Sequence, residues 1–210
     1  MADTERGIVV SGEATVRRVP DLAVVSLAVT IREREVEPAR RTANTRASAI
    51  LATVRELGMP ETDVTAPSLT VQPVYDYRHG ARLTGYEASR PMTIRVRDLA
   101  NLGPLLDALV DEGATQVHGT SMELAEPAEA AHEALAGAVA AARGRAEALA
   151  AAAGLALGEP IRIEEESGGF APMPRLMAMG KGAVADTAPT EVEAGEVEIA
   201  ARVRVWFAVG

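Results

Sequence analysis

The sequence contains no cysteine. That excludes disulfides, thiolate metal sites and a cysteine nucleophile. Aromatic residues make up only 3% of the chain, so the core has to be built from Ala, Val, Leu and Ile. Such a core favours close approach of helices and sheets over large filled pockets. Basic charge is in deficit: 21 Lys and Arg stand against 30 Asp and Glu, a formal net charge of −9. A phosphate backbone needs a basic face, so no nucleic-acid partner is expected. No unbroken apolar run reaches the roughly 18 residues of a membrane span. The Ala-rich stretch 128–153 comes closest, and Glu, His and Arg interrupt it. The opening residues, MADTERGIVVSGE, lack a basic region followed by an apolar core. The expectation is a cytoplasmic protein as the chain stands, or an exported, periplasmic one if a leader precedes it.

What is present is a globular composition, 48% apolar and 24% charged over 210 residues. That length fits one large domain or two small ones. The reading is a single domain over 7–210 behind a short tail, 1–6.

Hydrophobic period divides the chain. Residues 7–18 alternate, with Ile8, Val10, Ala14 and Val16 on one face. VPD at 19–21 is a turn, and residues 22–36 alternate again, so the two segments predict a long hairpin. Residues 38–57 switch to the helical period through Ala39, Ala43, Ala47, Ile50, Val54 and Leu57. GMP at 58–60 stops that helix. Strands follow at about 64–77 and 82–97; Pro73 and Pro91 should each lie on an edge or a bulge. Asp98 caps a helix over 98–112, with Leu99, Leu102, Leu106 and Leu109 inward. After a strand near 115–124, Pro127 opens a long Ala-rich helix that Gly154 ends. Strands near 159–166 and 196–209 complete the order ββαββαβαββ. The predicted class is α+β, with antiparallel hairpins packed on helices.

Catalytic and metal constellations do not assemble from the pattern. His79, His118 and His132 fall on a loop, a strand and a helix, and a zinc site needs three or four convergent ligands. His132–Glu133 begins a zinc-protease helix motif, but position 136 is Ala. Ser121 lies near His118, yet three residues apart on a strand places them on opposite faces. No Gly-x-Ser-x-Gly elbow or phosphate loop occurs. The run Glu164–Glu166 reads as a solvated strand end, with Glu165 opposite its neighbours. No catalytic residue, cofactor or metal is therefore assigned.

One segment stands apart. Residues 168–182, GGFAPMPRLMAMGKG, hold three methionines, two prolines and no clear period. The sulfurs have no Cys or His partner, which weighs against a Cu(I) site. Met is also an adaptable apolar contact residue. The stretch 168–192 reads as a long loop, functional or mobile. Phe170, Met173, Leu176, Met177 and Met179 are the candidate contacts of an apolar arm ordered against a second copy. Deleting 170–180 is expected to leave the fold and shrink the assembly.

Three stretches together resemble one family: IVVSGEATVRRVPDLAVVSLAV at 8–29, GYEASRPMTIRVRDLANLGPLLDALVDEGATQVHG at 85–119, and GEVEIAARVRVWFAV at 195–209. They look like the SIMPL-domain family, the domain of unknown function 541. The resemblance implies an α+β domain of hairpins on helices, assembly into large homo-oligomers, and a link to oxidative and envelope stress. It carries no catalytic residues. The expected function is thus a non-enzymatic homo-oligomeric protein. The alternative is a small-ligand binder or enzyme, with a cleft beside the long helix walled by Tyr75, Tyr77 and Arg90.

Overall fold

A computed structural model of the chain describes residues 7–78, 80–112, 116–166, 173–174 and 195–210. It is α+β, as the pattern predicts, and its longer elements follow the predicted order. The strands are β1 (Gly7–Arg18), β2 (Leu22–Glu33), β3 (Val64–Thr65), β4 (Thr70–Asp76), β5 (Arg82–Val96), β6 (Gln116–Glu123), β7 (Leu157–Glu165), β8 (Met173–Pro174) and β9 (Val197–Val209). The helices are α1 (Val36–Glu56), α2 (Leu102–Asp111) and α3 (Ala128–Ala153).

The described chain forms two compact units. A split unit comprises 7–20, 124–166, 173–174 and 195–210; an inserted unit comprises 21–123. The insertion leaves where it enters: Asp21 N–H donates to the Glu123 carbonyl at 3.2 Å.

The inserted unit has the sheet order β3-β5-β2-β6, with β4 also on β5. Its elements β2-α1-β4-β5-α2-β6 thus make a split β-α-β, ferredoxin-like arrangement. All its strand pairs are antiparallel. The odd residues of β2, Ala23 to Ile31, face Ala88, Met92, Ile94 and Val96 of β5 and both helices. α1 buries Ala39, Ala43, Ala47, Ile50 and Val54, the predicted stripe. The helix predicted over 98–112 starts with a 3-10 turn at Leu99–Asn101, and Asp98 accepts from the Ala100 N–H as its cap. Leu102, Leu105 and Leu109 are fully buried, and Leu106 is half-buried. Helical spacing allows either of the adjacent leucines inward, and the sheet selects Leu105.

The predicted β1–β2 hairpin does not form. β1 pairs with β9, and β2 pairs with β5 and β6. Alternation defines each strand, but it does not name a partner, and sequential strands pair only about two-thirds of the time. Pro73 lies on β4, an edge strand, as expected. Pro91 lies in the interior strand β5, opposite Ala28 of β2. On its other side β4 pairs no further than Ser89 and β3 starts at Thr93. Proline cannot donate to a ladder; the strand predicted over 64–77 accordingly breaks into β3 and β4 at Pro91.

The split unit has the order β1-β9-β7, with β8 also on β9. The β9 alternation is realised: Val197, Ile199, Ala201, Val203, Val205 and Phe207 are buried. α3 buries Ala130, Ala134, Ala138, Ala142 and Ala146 against this face, and Ala150 continues the spacing. A four-residue spacing forms a ridge inclined to the helix axis. Gly12 lets the ridge reach the sheet backbone: a Cβ there would lie 2.0 Å from the Ala138 carbonyl oxygen. A Cβ on Gly137 would lie 2.8 Å from the Ala14 Cβ. Gly154, at φ +68°, ends the helix in the left-handed conformation.

Candidate functional site

Four residues of the proposed arm, Phe170, Leu176, Met177 and Met179, lie outside the described residues. The fifth, Met173, opens β8, and its backbone pairs opposite Glu198. The stretch 168–192 lies outside them too, apart from β8.

The residues of the alternative cleft do not converge. Tyr75 and Tyr77 are exposed, with ring centroids 6.2 Å apart. Tyr75 opposes Leu83, and Arg90 lies further along β5 by about 23 Å at the usual rise per residue. Arg90 shares the parity of Ala88 and Met92, which face α1. Its Nη1 donates to Asn44 Oδ1 on α1 at 3.1 Å, and its Nε is buried without a hydrogen-bond partner.

Ser121 donates to Glu123 Oε1 at 2.7 Å. His118 and His132 are exposed, His79 lies outside the described residues, and no three metal-ligating side chains cluster among those described. Asp63 is the one buried charged residue named among the described residues, at 4% exposure. Arg97 holds it through two hydrogen bonds, 2.8 and 3.0 Å. Those bonds keep the Asp63 carboxyl below the usual carboxylate range, although burial alone would raise it. Glu87 is lowered in the same way, chiefly by the hydrogen bond from Arg32.

The sheet face of the split unit opposite α3 carries a charge ladder set by cross-strand register. Arg17 pairs with Glu198 at 2.9 Å. Glu166 forms ion pairs with Arg202 at 3.3 Å and with Arg204 at 2.6 Å, and Glu164 pairs with Arg162 of its own strand. Arg162 also lies 4.9 Å over Trp206, a cation–π contact. The run Glu164–Glu166 thus alternates as predicted, with its even members in ion pairs. A shallow hollow of about 400 Å³ sits on this face between Thr15, Ala200 and the Glu13–Arg202–Glu166 group. In the inserted unit a hollow of about 240 Å³ lies among Leu51, Val54, Met59 and Val64, beside the Arg55–Glu61 ion pair.

The departure from ordinary burial lies at the other strand edge. Leu149, Leu155, Ile161 and Ile163 are 51%, 43%, 57% and 52% exposed. Ile163 opposes Val205, which is fully buried under α3. α3 therefore covers β1, β9 and the Leu157 end of β7 and leaves that face bare at Ile163. Sequence reasoning missed this, because PIRIE reads as an ordinary short strand. The available signal was the helix itself: an alanine surface is too narrow to cover three strands.

No described helix is long and apolar enough to cross a membrane. The SIMPL family, described as a protein of unknown function (DUF541), matches residues 8–207 and so spans both units. The chain is 32% identical over 213 residues to the 26 kDa periplasmic immunogenic protein of Brucella melitensis, covering 96% of this chain and 84% of that protein. It is 27% identical over 201 residues to the uncharacterized protein YggE of Escherichia coli K12, covering 95% and 82%. The YggE of Edwardsiella ictaluri is 26% identical over 204 residues. The match across both units and these near full-length identities mean that the chain belongs to the SIMPL family.

Proposed function

We propose that the protein is a non-enzymatic component of a homo-oligomeric assembly in an exported, periplasmic setting. The observation that carries the assembly is the bare apolar row from Leu149 to Ile163. These large apolar side chains, each more than two-fifths exposed, stand on the last turns of α3, just after it and on β7, and exposed apolar surface that is contiguous marks a contact. The periplasmic setting rests on the name of the Brucella relative; the cytoplasmic expectation finds no support among the relatives. A role in envelope stress rests on family resemblance alone. The dispersal of Tyr75, Tyr77 and Arg90 weighs against the alternative cleft.

Sedimentation velocity of the full chain at micromolar concentration tests the assembly. A mass well above the 21.9 kDa chain is expected. A strict monomer would overturn the reading.

A further inference from the structure

We propose that β7 pairs antiparallel with the β7 of a second copy about a two-fold axis through Ile163. The inference deepens the assembly reading above and rests on it.

The hydrogen-bonding direction of β7 follows from one bond. Glu166 N–H donates to the Arg202 carbonyl at 2.9 Å. In an antiparallel ladder a residue's N–H and C=O point the same way, and neighbours alternate. Glu164 and Arg162 therefore turn their backbone groups toward β9. Ile163 and Glu165 turn theirs to the opposite edge, where no described strand pairs.

The sequence of that edge is self-complementary in one register. With Ile163 opposite its own copy, Arg162 faces the partner's Glu164, and Glu164 faces the partner's Arg162. Both are non-hydrogen-bonded positions, where facing side chains lie closest. Shifting the centre to Arg162 would set two arginines face to face. Shifting it to Ile161 would set Ile163 against Glu159 and lose the charge pairing. The Ile163 rung joins the two bare isoleucines on the α3 side of the sheet. Pro160, beside a register shift, ends the usable edge, since it has no N–H to give.

The other free edge of this sheet is guarded. The Ser11 carbonyl on β1 accepts from Arg145 of α3 at 2.6 Å. Arg17 and Arg18 close the strand, and charged edges of this kind discourage pairing. A five-residue rung set is far smaller than the roughly 800 Å² per partner of a stable complex. It forms one contact of a larger assembly, in which the two-fold makes the interface the same patch on both copies.

The absence of cysteine makes the test clean. In this register Cα atoms of facing Ile163 residues lie about 5.5 Å apart, inside the range that a disulfide spans. Full-length Ile163→Cys should form a covalent dimer on mild oxidation at least about tenfold faster than Val9→Cys, a comparably exposed control on β1. Arg162→Glu and Glu164→Arg should each slow that cross-linking in the Ile163→Cys background, and the double reversal should restore it. Equal rates for the two cysteine variants, or a double reversal no better than the singles, would overturn the pairing. Sedimentation of the unmodified chain separates the two readings. A monomer sinks both, whereas an oligomer whose Ile163→Cys does not cross-link sinks only the β7 contact.

Discussion

In the inserted unit α1 and α2 bury Ile50, Val54, Leu102, Leu105 and Leu109 beside the alanines Ala39, Ala43 and Ala47, while in the split unit every buried residue of α3 is an alanine and its Leu135 and Val139 are only partly covered. The first interface is filled by interlocking side chains. The second is a near contact of backbones, with Gly12 and Gly137 as the points of closest approach. Side-chain interfaces fail by losing volume, because a cavity remains. Backbone interfaces fail by gaining it, because nothing at the contact can turn aside. Two residue types give separate optical views of this contrast: the single tryptophan, Trp206, lies in the split unit, and the three tyrosines lie in the inserted one.

The largest effect is expected for Gly12→Val. Even the first carbon would lie 2.0 Å from the Ala138 oxygen and 2.5 Å from the Ala142 nitrogen, both backbone atoms of a helix. The loss should be about 3 kcal/mol or more. It would show as early denaturation followed by Trp206 emission. A variant as stable as the parent would mean that α3 does not sit this close to β1.

Leu105→Ala tests the opposite failure. Leu105 is fully buried in the inserted unit, and its truncation should cost about 2–5 kcal/mol. The midpoint followed by tyrosine emission should fall while the Trp206 midpoint holds. Equal shifts in both signals would show that the units unfold as one and would weaken the contrast.

Asp63→Asn is expected to cost less, on the order of 2 kcal/mol, as for a hydrogen bond to a charged group. Arg97 is 57% exposed, so water already weakens the charge term on its side. The sign of the pH effect follows from the lowered folded pKa. The contribution is fully present above the ordinary value of 3.8 and is lost as pH falls through the folded value. Acid titration of tyrosine emission should therefore lose part of its slope below about pH 4 in the variant. An unchanged acid profile would remove Asp63 as its source.

Much of this was legible in the sequence because local period is a local property. The stripe of α1 was readable, and so were the β9 alternation, the Asp98 cap, the Gly154 stop and the alternation of Glu165 against Glu164 and Glu166. Partner choice was not: β1 and β2 look like a hairpin, and only the pairing of β1 with β9 places Gly12 beneath α3. The alanine ridge was half legible. Alanine occupies nearly every face of that helix, so no hydrophobic stripe marks the buried one. The split at Pro91 needed the position of its neighbours as well as its own identity. The bare edge of β7 was hidden for a related reason, since it is defined by how far α3 fails to reach.

The smallest effect separates covering a sheet from joining copies. Leu149→Gln removes an apolar side chain that is 51% exposed on the alanine helix. Surface substitutions of this kind change stability by no more than about 0.5 kcal/mol, so the Trp206 midpoint should stay in place. Assembly should respond differently. If the row from Leu149 to Ile163 is a contact surface, the weight-average mass should fall on dilution sooner than for the parent. Loss of stability without loss of mass would show instead that Leu149 belongs to the α3–sheet layer. In that case the split unit would resemble the inserted one, with large side chains carrying its helix contact.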